Sequence, residues 1–493
     1  MNYFHVPSPG GDSGRRRNIL ISSLLFLASA AVFWLNYSYA LHGWFYREDS
    51  RYFSNGLFSP YDIFCAFLAP HNNMGHYRPI TKLIWGIPRW LGPLDAGIYH
   101  LISFSLLAAA AIMLMRLSYL LFRNPPLAVL AGILWALMPT NAKPVYWICA
   151  CQDPAAALFV FSACVFRLEQ WMRPESAPVF RRLCLLSVIL ALFCREAAYS
   201  TIPLLLVIDW RYGQLRKSWD VARIWIVFVL WVFVLNPPFD RARVGVKPSL
   251  LFSFSLPEEL WNYARSAFWT FGDADLIIYP WWAIAVTALA ITGALVAPFF
   301  CWQFLFTSLF ALAGIAPFLL IHAFSVEYAF LFGAGISLLL TGIPAALLRQ
   351  KLLGIPAQLA LLTIGLTLIG GYYQYLGENR EIFASNYTDR SLLLKNFLSE
   401  LNRFTHGLPA YQRIELVDIG PYRNSEARDS NHFIPVGLDE LIPDRVILIA
   451  PAVLNSGEGT NWRDPHSRLW QTARDFLPKP VQIHYTDKGF SLD

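Results

Sequence analysis

Two adjacent carboxylates, Glu48 and Asp49, stand in the stretch Phe45-Tyr46-Arg47-Glu48-Asp49-Ser50-Arg51-Tyr52. Their mutual repulsion beside a low-dielectric wall suits one of them to general-base work, taking the proton from an acceptor hydroxyl. A solvated charged turn is the plainer reading of the same residues. Arg51 follows the pair, and His76-Tyr77-Arg78-Pro79 continues the same inter-span loop as candidate substrate-site residues. Asp153 follows Cys151-Gln152 at the mouth of an apolar run, where a helix dipole favours a carboxylate, so it reads either as a substrate-site acid or as a cap. Arg195 and Glu196 interrupt two apolar stretches. Ionisable groups there are costly and functional by default: Arg195 offers charge to a phosphate and Glu196 holds it in place, with a structural ion pair as the alternative. Arg241, Arg243 and Lys247 form a basic group whose guanidiniums suit bidentate contact with phosphate, with anionic headgroup contact as the alternative. Lys143, before Tyr146-Trp147, adds another phosphate-binding candidate, while His322 and Glu327 complete the substrate-site set. A lone His at a membrane interface is more often a satisfied interface residue than a catalyst. Cys149 and Cys151 lack the partners of a metal site and read as structural thiols. No Walker loop, dinucleotide turn or zinc constellation is present, so ATP-driven transport is not expected.

The elements that must position these residues are membrane spans. The 493 residues are 56% apolar and only 15% charged, with a mean hydropathy of +0.42, which excludes a string of soluble domains. Residues 276–326 contain no Asp, Glu, Lys or Arg, enough for two crossings at about 20 residues each. Aromatics make up 16% of the chain, as expected where amphipathic rings line membrane interfaces. The net charge of +6 is a topology signal, and no nucleic-acid partner is expected. Arg15, Arg16 and Arg17 precede a run from Asn18 to Ala40 that is too long for a signal-peptide core, so a retained first helix with a cytosolic basic flank is predicted. Further apolar segments fall near 99–122, 126–140, 154–171, 182–195, 198–210, 222–237, 279–298, 301–321, 328–348 and 356–376. The total is about eleven spans at ordinary lengths, which places the C-terminus outside.

The expected cytosolic loops hold Arg123, Arg173, Arg181, Arg182, Arg211, Arg216, Lys217, Arg349 and Lys351. That distribution agrees with the positive-inside rule. External loops also carry cations, among them Arg78, Lys82 and Arg265, that topology does not require. The short spans 126–140, 182–195 and 198–210 are tolerated only where protein or a water-filled cavity shelters them, so a cavity opening outward is expected. After residue 376 the composition becomes that of a soluble domain of roughly 115 residues, with strand-like runs at 413–419 and 445–450 and a helical pattern at 391–404. The expected architecture is a polytopic α-helical membrane protein with a small C-terminal extracytoplasmic α/β domain. It comprises a basic N-terminus (1–17), a transmembrane domain (18–376) with external loops at 41–98 and 238–278, and the tail (377–493).

In their order, four segments resemble the GT-C membrane glycosyltransferases, especially the protein O-mannosyltransferase and bacterial aminoarabinose transferase branches. Glu48-Asp49-Ser50-Arg51-Tyr52 looks like the family's first-loop acidic pair followed by Arg-Tyr. His76-Tyr77-Arg78-Pro79-Ile80 leading to Tyr99-His100-Leu101 is similar to its YRP and YH stretch. Leu137-Met138-Pro139 through Trp147 to Asp153 resembles its next loop, and Phe193-Cys194-Arg195-Glu196 followed by Pro203-Leu204-Leu205 its Lys-Glu segment. The likeness covers roughly the first 210 residues, by the order and spacing of the motifs.

It implies a GT-C-like fold, a sugar donor linked to polyprenyl phosphate among the membrane lipids, and a hydroxyl acceptor (surface glycan, lipid or protein) approaching from outside. It also implies that one of Glu48 and Asp49 is the base and that basic residues hold the donor phosphate. The expected setting is a bacterial inner membrane. No cofactor is certain, and a divalent cation between the carboxylates is left open. Two departures stand out: Glu48 occupies a place where the family commonly has Asp, and Val326-Glu327-Tyr328 replaces Glu-Arg-Tyr, losing an Arg that Arg241 or Arg243 would supply. The rival functions are an oligosaccharyl ligase using a pyrophosphate donor and a transporter or flippase for a lipid-linked sugar. Paired halves with matching broken helices, which transporters often show, are not found.

Overall fold

A computed structural model describes residues 30–35, 37–43, 60–68, 78–91, 95–235, 301–319 and 329–349, four short strands beyond residue 413, and a few positions before residue 30. The described residues fall in two units, one helical and one a small β-sheet, each taken by itself. Positions 30–35 are helical and lead into a 3-10 turn at Ser38–His42. The helices that follow are α1 (Pro60–Leu68), α2 (Pro79–Leu91), α3 (Ala96–Phe122), α4 (Pro125–Ala136), α5 (Gln152–Met172), α6 (Ala177–Leu192), α7 (Thr201–Arg211), α8 (Trp219–Leu235), α9 (Trp302–Leu319) and α10 (Phe330–Arg349).

The predicted spans near 99–122, 154–171, 222–237, 301–321 and 328–348 coincide with α3, α5, α8, α9 and α10. Those near 126–140 and 198–210 are shortened to α4 and α7, and that near 182–195 is shifted to α6, which begins at Ala177 and stops at Leu192. The cuts have local causes: Pro139 opens a 3-10 turn, and Arg195 is extended at φ −164 and ψ 152 before a second 3-10 turn at Glu196–Ser200. The predicted spans near 279–298 and 356–376 lie outside the described residues. Two helices among those described, Ala96–Phe122 and the stretch Ile148–Met172, are long and apolar enough to cross a bilayer. Three shorter ones, Pro125–Ala136, Trp302–Ala316 and Phe330–Ala345, are also apolar.

Helix α3 has 27 residues, about 40 Å at 1.5 Å per residue, against a hydrocarbon core of about 30 Å. It is apolar all round. Leu107, Leu114 and Leu117 are buried while Ile98, Leu101 and Ile112 are exposed, so one side packs on protein and the other presents hydrocarbon. Asp95 caps its first turn by accepting from the Gly97 N–H at 2.9 Å. Arg123, in left-handed backbone at φ 58, ends it by donating its N–H to the Tyr119 carbonyl. Asn124 then caps α4, whose opening prolines lack the N–H that a first turn leaves unused.

The interior is mostly apolar but also shelters polar groups. Thr140, Asn141, Asp153, Arg167, Arg195, Thr201 and Asp209 are all buried. Around them runs an aromatic chain, Trp135 to Phe161 to Phe310 to Phe306, with centroids 5.1 to 5.9 Å apart. Helices α9 and α10 approach closely at Gly335, where an added Cβ would lie 2.4 Å from the Ala311 amide nitrogen. Trp135 bridges α4 and α10 by donating its indole N–H to the Phe330 carbonyl at 2.8 Å. Tyr37 ties the first helix to the end of α4 through the Ala136 carbonyl at 2.9 Å.

In the second unit, β1 (Ile414–Asp418), β2 (Ile447–Ile449), β3 (Val481–Thr486) and β4 (Gly489–Leu492) form one sheet in the order β2-β1-β3-β4. Strand β1 runs parallel to both neighbours, with Ile414 opposite Ile447 and Val481, and β4 returns antiparallel with Phe490 opposite Tyr485. Parallel pairs need long crossovers, and the sequence provides them between β1, β2 and β3. Strands β1 and β2 fall inside the two predicted strand-like runs; β3 and β4 are additions, and the predicted helix at 391–404 lies outside the described residues.

Candidate functional site

The break between α6 and α7 is where the polar residues gather. Arg195 lies in extended backbone after Phe193 and Cys194 have closed the last turn of α6, their N–H groups donating to the Ile189 and Ala191 carbonyls. That geometry points the guanidinium across to α5 instead of along its own helix. Arg195 forms an ion pair with Asp153, both side chains buried, and its guanidinium lies 5.9 Å from the centroid of the Phe330 ring. A cation over an aromatic face inside protein is stabilised by the ring quadrupole without being neutralised.

Asp153 stands in the first turn of α5, where the helix dipole favours a carboxylate, while residue 151 occupies the cap position without a side-chain cap bond; the Asp153 carboxylate also pairs across the helix interface with Arg195. Asp153 is a partner of Arg195 that adjacency in the chain does not suggest: packing of α5 beside the break brings it to the guanidinium. The backbone of Glu196 opens the 3-10 turn Glu196–Ser200, and its side chain lies outside the described residues.

The first-loop segment docks on the same break. The Ile80 N–H donates to the Phe193 carbonyl at 3.2 Å, and the Thr81 hydroxyl donates to the Cys194 carbonyl at the same distance. Arg78 donates Nη1 to Gln152 Oε1 at 2.9 Å. Trp85 then donates its indole N–H to Cys151 Sγ at 3.1 Å, and its carbonyl accepts from the Tyr99 hydroxyl at 2.9 Å. Segments 78–85, 151–153 and 193–195 are therefore bound together, with Phe330 of α10 against them.

Lys143 lies in the single helical turn Lys143–Tyr146 with its ammonium 4.8 Å from the Trp147 ring centroid. The same turn is held by buried His100, whose Nδ1 is 2.9 Å from the Val145 carbonyl. Of the residues picked from sequence, Arg78, Asp153 and Arg195 are thus brought together, with Lys143 on the segment leading into Asp153. Glu48, Asp49, Arg51, His76, Tyr77, Arg241, Arg243, His322 and Glu327 lie outside the described residues.

Two residues that sequence reading left out of the site belong beside it. Gln152 is the acceptor for Arg78, and Lys82 is a buried cation one turn beyond Arg78 on α2. Burial pushes the Lys82 ammonium below its ordinary pKa. The signal for Lys82 was available: it is a cation in an expected external loop, where topology asks for none. Among the described residues no three His, Cys, Asp or Glu side chains stand close enough to hold a metal ion.

This arrangement sits in a fold that is already known. ArnT from Cupriavidus metallidurans in the apo state matches with a TM-score of 0.58 at 12% identity, over 94% of this chain and 93% of that one. ArnT from the same organism bound to undecaprenyl phosphate matches with a TM-score of 0.56 at 11% identity over the same shares. The chain has the ArnT fold. At the level of the fold this agrees with the resemblance read from four motifs in the first 210 residues, and the likeness runs through most of the chain. No family model and no curated protein matches in sequence.

Proposed function

We propose that the protein is a membrane glycosyltransferase that moves a sugar from a polyprenyl-phosphate donor to a hydroxyl acceptor on the extracytoplasmic face. The observation that carries this reading is the buried Asp153–Arg195 pair beside Phe330, joined by Arg78 and Gln152, in a fold shared with a protein whose structure holds undecaprenyl phosphate. A guanidinium in protein interior, oriented by a carboxylate, presents the planar fork of N–H donors that suits phosphate oxygens.

In this reaction one carboxylate of Glu48 and Asp49 takes the proton of the acceptor hydroxyl. The hydroxyl oxygen bonds to the anomeric carbon as the bond from that carbon to the phosphate oxygen breaks. Polyprenyl phosphate leaves with the electron pair, and cations stabilise the charge that develops on it: Arg195, Lys82 and Arg78 from the described core, with Lys143, Arg241 and Arg243 as further contributors. Asp153 holds Arg195 in its extended setting. Arg51, His76, Tyr77, Glu196, His322 and Glu327 are assigned to the walls of the substrate site, and the tail after residue 376 to the outer face.

The test is release of polyprenyl phosphate from a panel of labelled lipid-linked sugars, in the presence of glycan, lipid and peptide hydroxyl acceptors, by the purified protein in lipid nanodiscs, with Glu48→Gln, Asp49→Asn and the double variant alongside. Loss of release with donor binding intact is expected in one single variant and in the double. Full release by the double variant would overturn the assignment of the base.

A further inference from the structure

A second buried ion pair joins the same two parts of the chain at the other end of α5. Arg167, with no exposed side-chain surface, donates Nε to Asp209 Oδ1 at 2.7 Å and Nη2 to Asp209 Oδ2 at 2.6 Å. The Trp171 indole and the Ser218 hydroxyl donate to the same carboxylate at 2.7 and 2.6 Å. Asp220 of α8 accepts from Arg167 at 3.3 Å and from Arg181 of α6 at 2.9 Å, so α5, α6, α7 and α8 meet in one network.

The register of the two pairs is the informative point. Arg167 and Asp209 are 42 positions apart, and Asp153 and Arg195 have the same separation. Two contacts with one offset mean that α5 and the stretch from Arg195 into α7 run parallel as two rails, pinned at both ends by rungs about 21 Å apart at 1.5 Å per residue. The charges are reversed: α5 carries the acid at the site and the base at the far rung. A slide of either rail brings no like-signed substitute into place, so both rungs hold only in this register.

We propose that Arg167 and Asp209 are positioning residues for the site: the far rung locks the axial register of α5 against α7 and so holds Asp153 opposite Arg195. A buried pair with every oxygen satisfied is weak evidence for net stability, and fixing register is the best-attested use of such groups. The proposal rests on the glycosyltransferase reading only for what the site does, not for how it is held.

Native thiols report on both rungs without any engineered label. Cys151 and Cys194 flank the site and lie near one another, while Cys184 lies beside Arg167 with Cys164 next to it, and all four are buried. The intact protein in detergent micelles is treated with N-ethylmaleimide, and each cysteine is followed by peptide mass spectrometry in Arg167→Met and Asp209→Asn. The expected result is labelling of Cys151 and Cys194 raised about tenfold by local opening at the site, with Cys301 unchanged and a cooperative thermal transition retained. A rise confined to Cys164 and Cys184 would overturn the proposal, because the far pair would then be local packing alone. Should either variant label every thiol alike, Trp171→Phe, which removes one hydrogen bond to Asp209 and leaves the charges in place, is judged by the same two outcomes. Sugar transfer is assayed separately: a native chain that releases no polyprenyl phosphate removes the glycosyl reading and leaves the thiol result standing.

Discussion

The Asp153–Arg195 pair makes a sharp prediction because both partners are buried, with side chains 0% and 3% exposed. Removing one partner leaves an uncompensated charge in the protein interior, which costs about 3 to 5 kcal/mol, whereas replacing both by apolar side chains of similar volume is close to neutral. Asp153→Leu and Arg195→Met are each expected to lose that amount. Independent losses would sum to about 6 to 10 kcal/mol, yet the double variant should cost less than either single one, an interaction energy of about 3 kcal/mol or more. The assay is unfolding in mixed micelles titrated with SDS, followed by tryptophan fluorescence. Transfer should not recover with stability: the double variant lacks the preorganised cation, and loss of one such contact lowers turnover by about 10²- to 10³-fold. Single losses that simply add would refute the coupling, and a double variant with native turnover would refute a role in the chemistry.

Three further outcomes are expected. Gly335→Ala places a methyl 2.4 Å from the Ala311 nitrogen and 2.7 Å from its Cα, backbone atoms that cannot swing aside, so about 1 to 3 kcal/mol should be lost in the same titration. Tyr37→Phe removes the hydroxyl bonded to the Ala136 carbonyl and should cost about 1 to 3 kcal/mol, since a buried acceptor loses its donor. For Lys82, burial lowers the ammonium pKa, so the native state binds fewer protons than the unfolded chain between that lowered value and the ordinary one. Stability should therefore rise with pH across that window while donor affinity falls. Lys82→Arg, charged throughout, should abolish both trends in binding titrations and unfolding curves.

Much of the helical layout is legible in the sequence because charge is scarce and costly in apolar surroundings. Each uninterrupted apolar run that falls in the described region became a helix, and Arg195 was conspicuous as a cation between two such runs. What pairs with it was not legible. Asp153 is 42 positions away, and nothing in the chain announces that α5 packs beside the break. Arg167 and Asp209 escaped notice for a related reason: near the ends of predicted spans, ionisable residues read as topology markers, and only packing shows that these two are buried. Helices α1 and α2 were hidden in a loop punctuated by Pro60, Pro79 and Pro88, though two of those prolines stand at the first position of a helix, where the missing N–H costs nothing. Lys82 was visible as a surplus external cation, and its burial was not.

Phe330 gives its carbonyl to Trp135 and the face of its ring to Arg195. Trp135 leaves the ribosome 195 residues ahead of it, an interval of about 10 to 40 s at 5 to 20 residues per second. Until α10 is made, Trp135 lacks its Phe330 acceptor, and Arg195, 135 residues ahead of Phe330, lacks the ring against its guanidinium. Docking of α10 makes both contacts at once, so a chain truncated before residue 330 would lack the ring and the carbonyl that complete this side of the site.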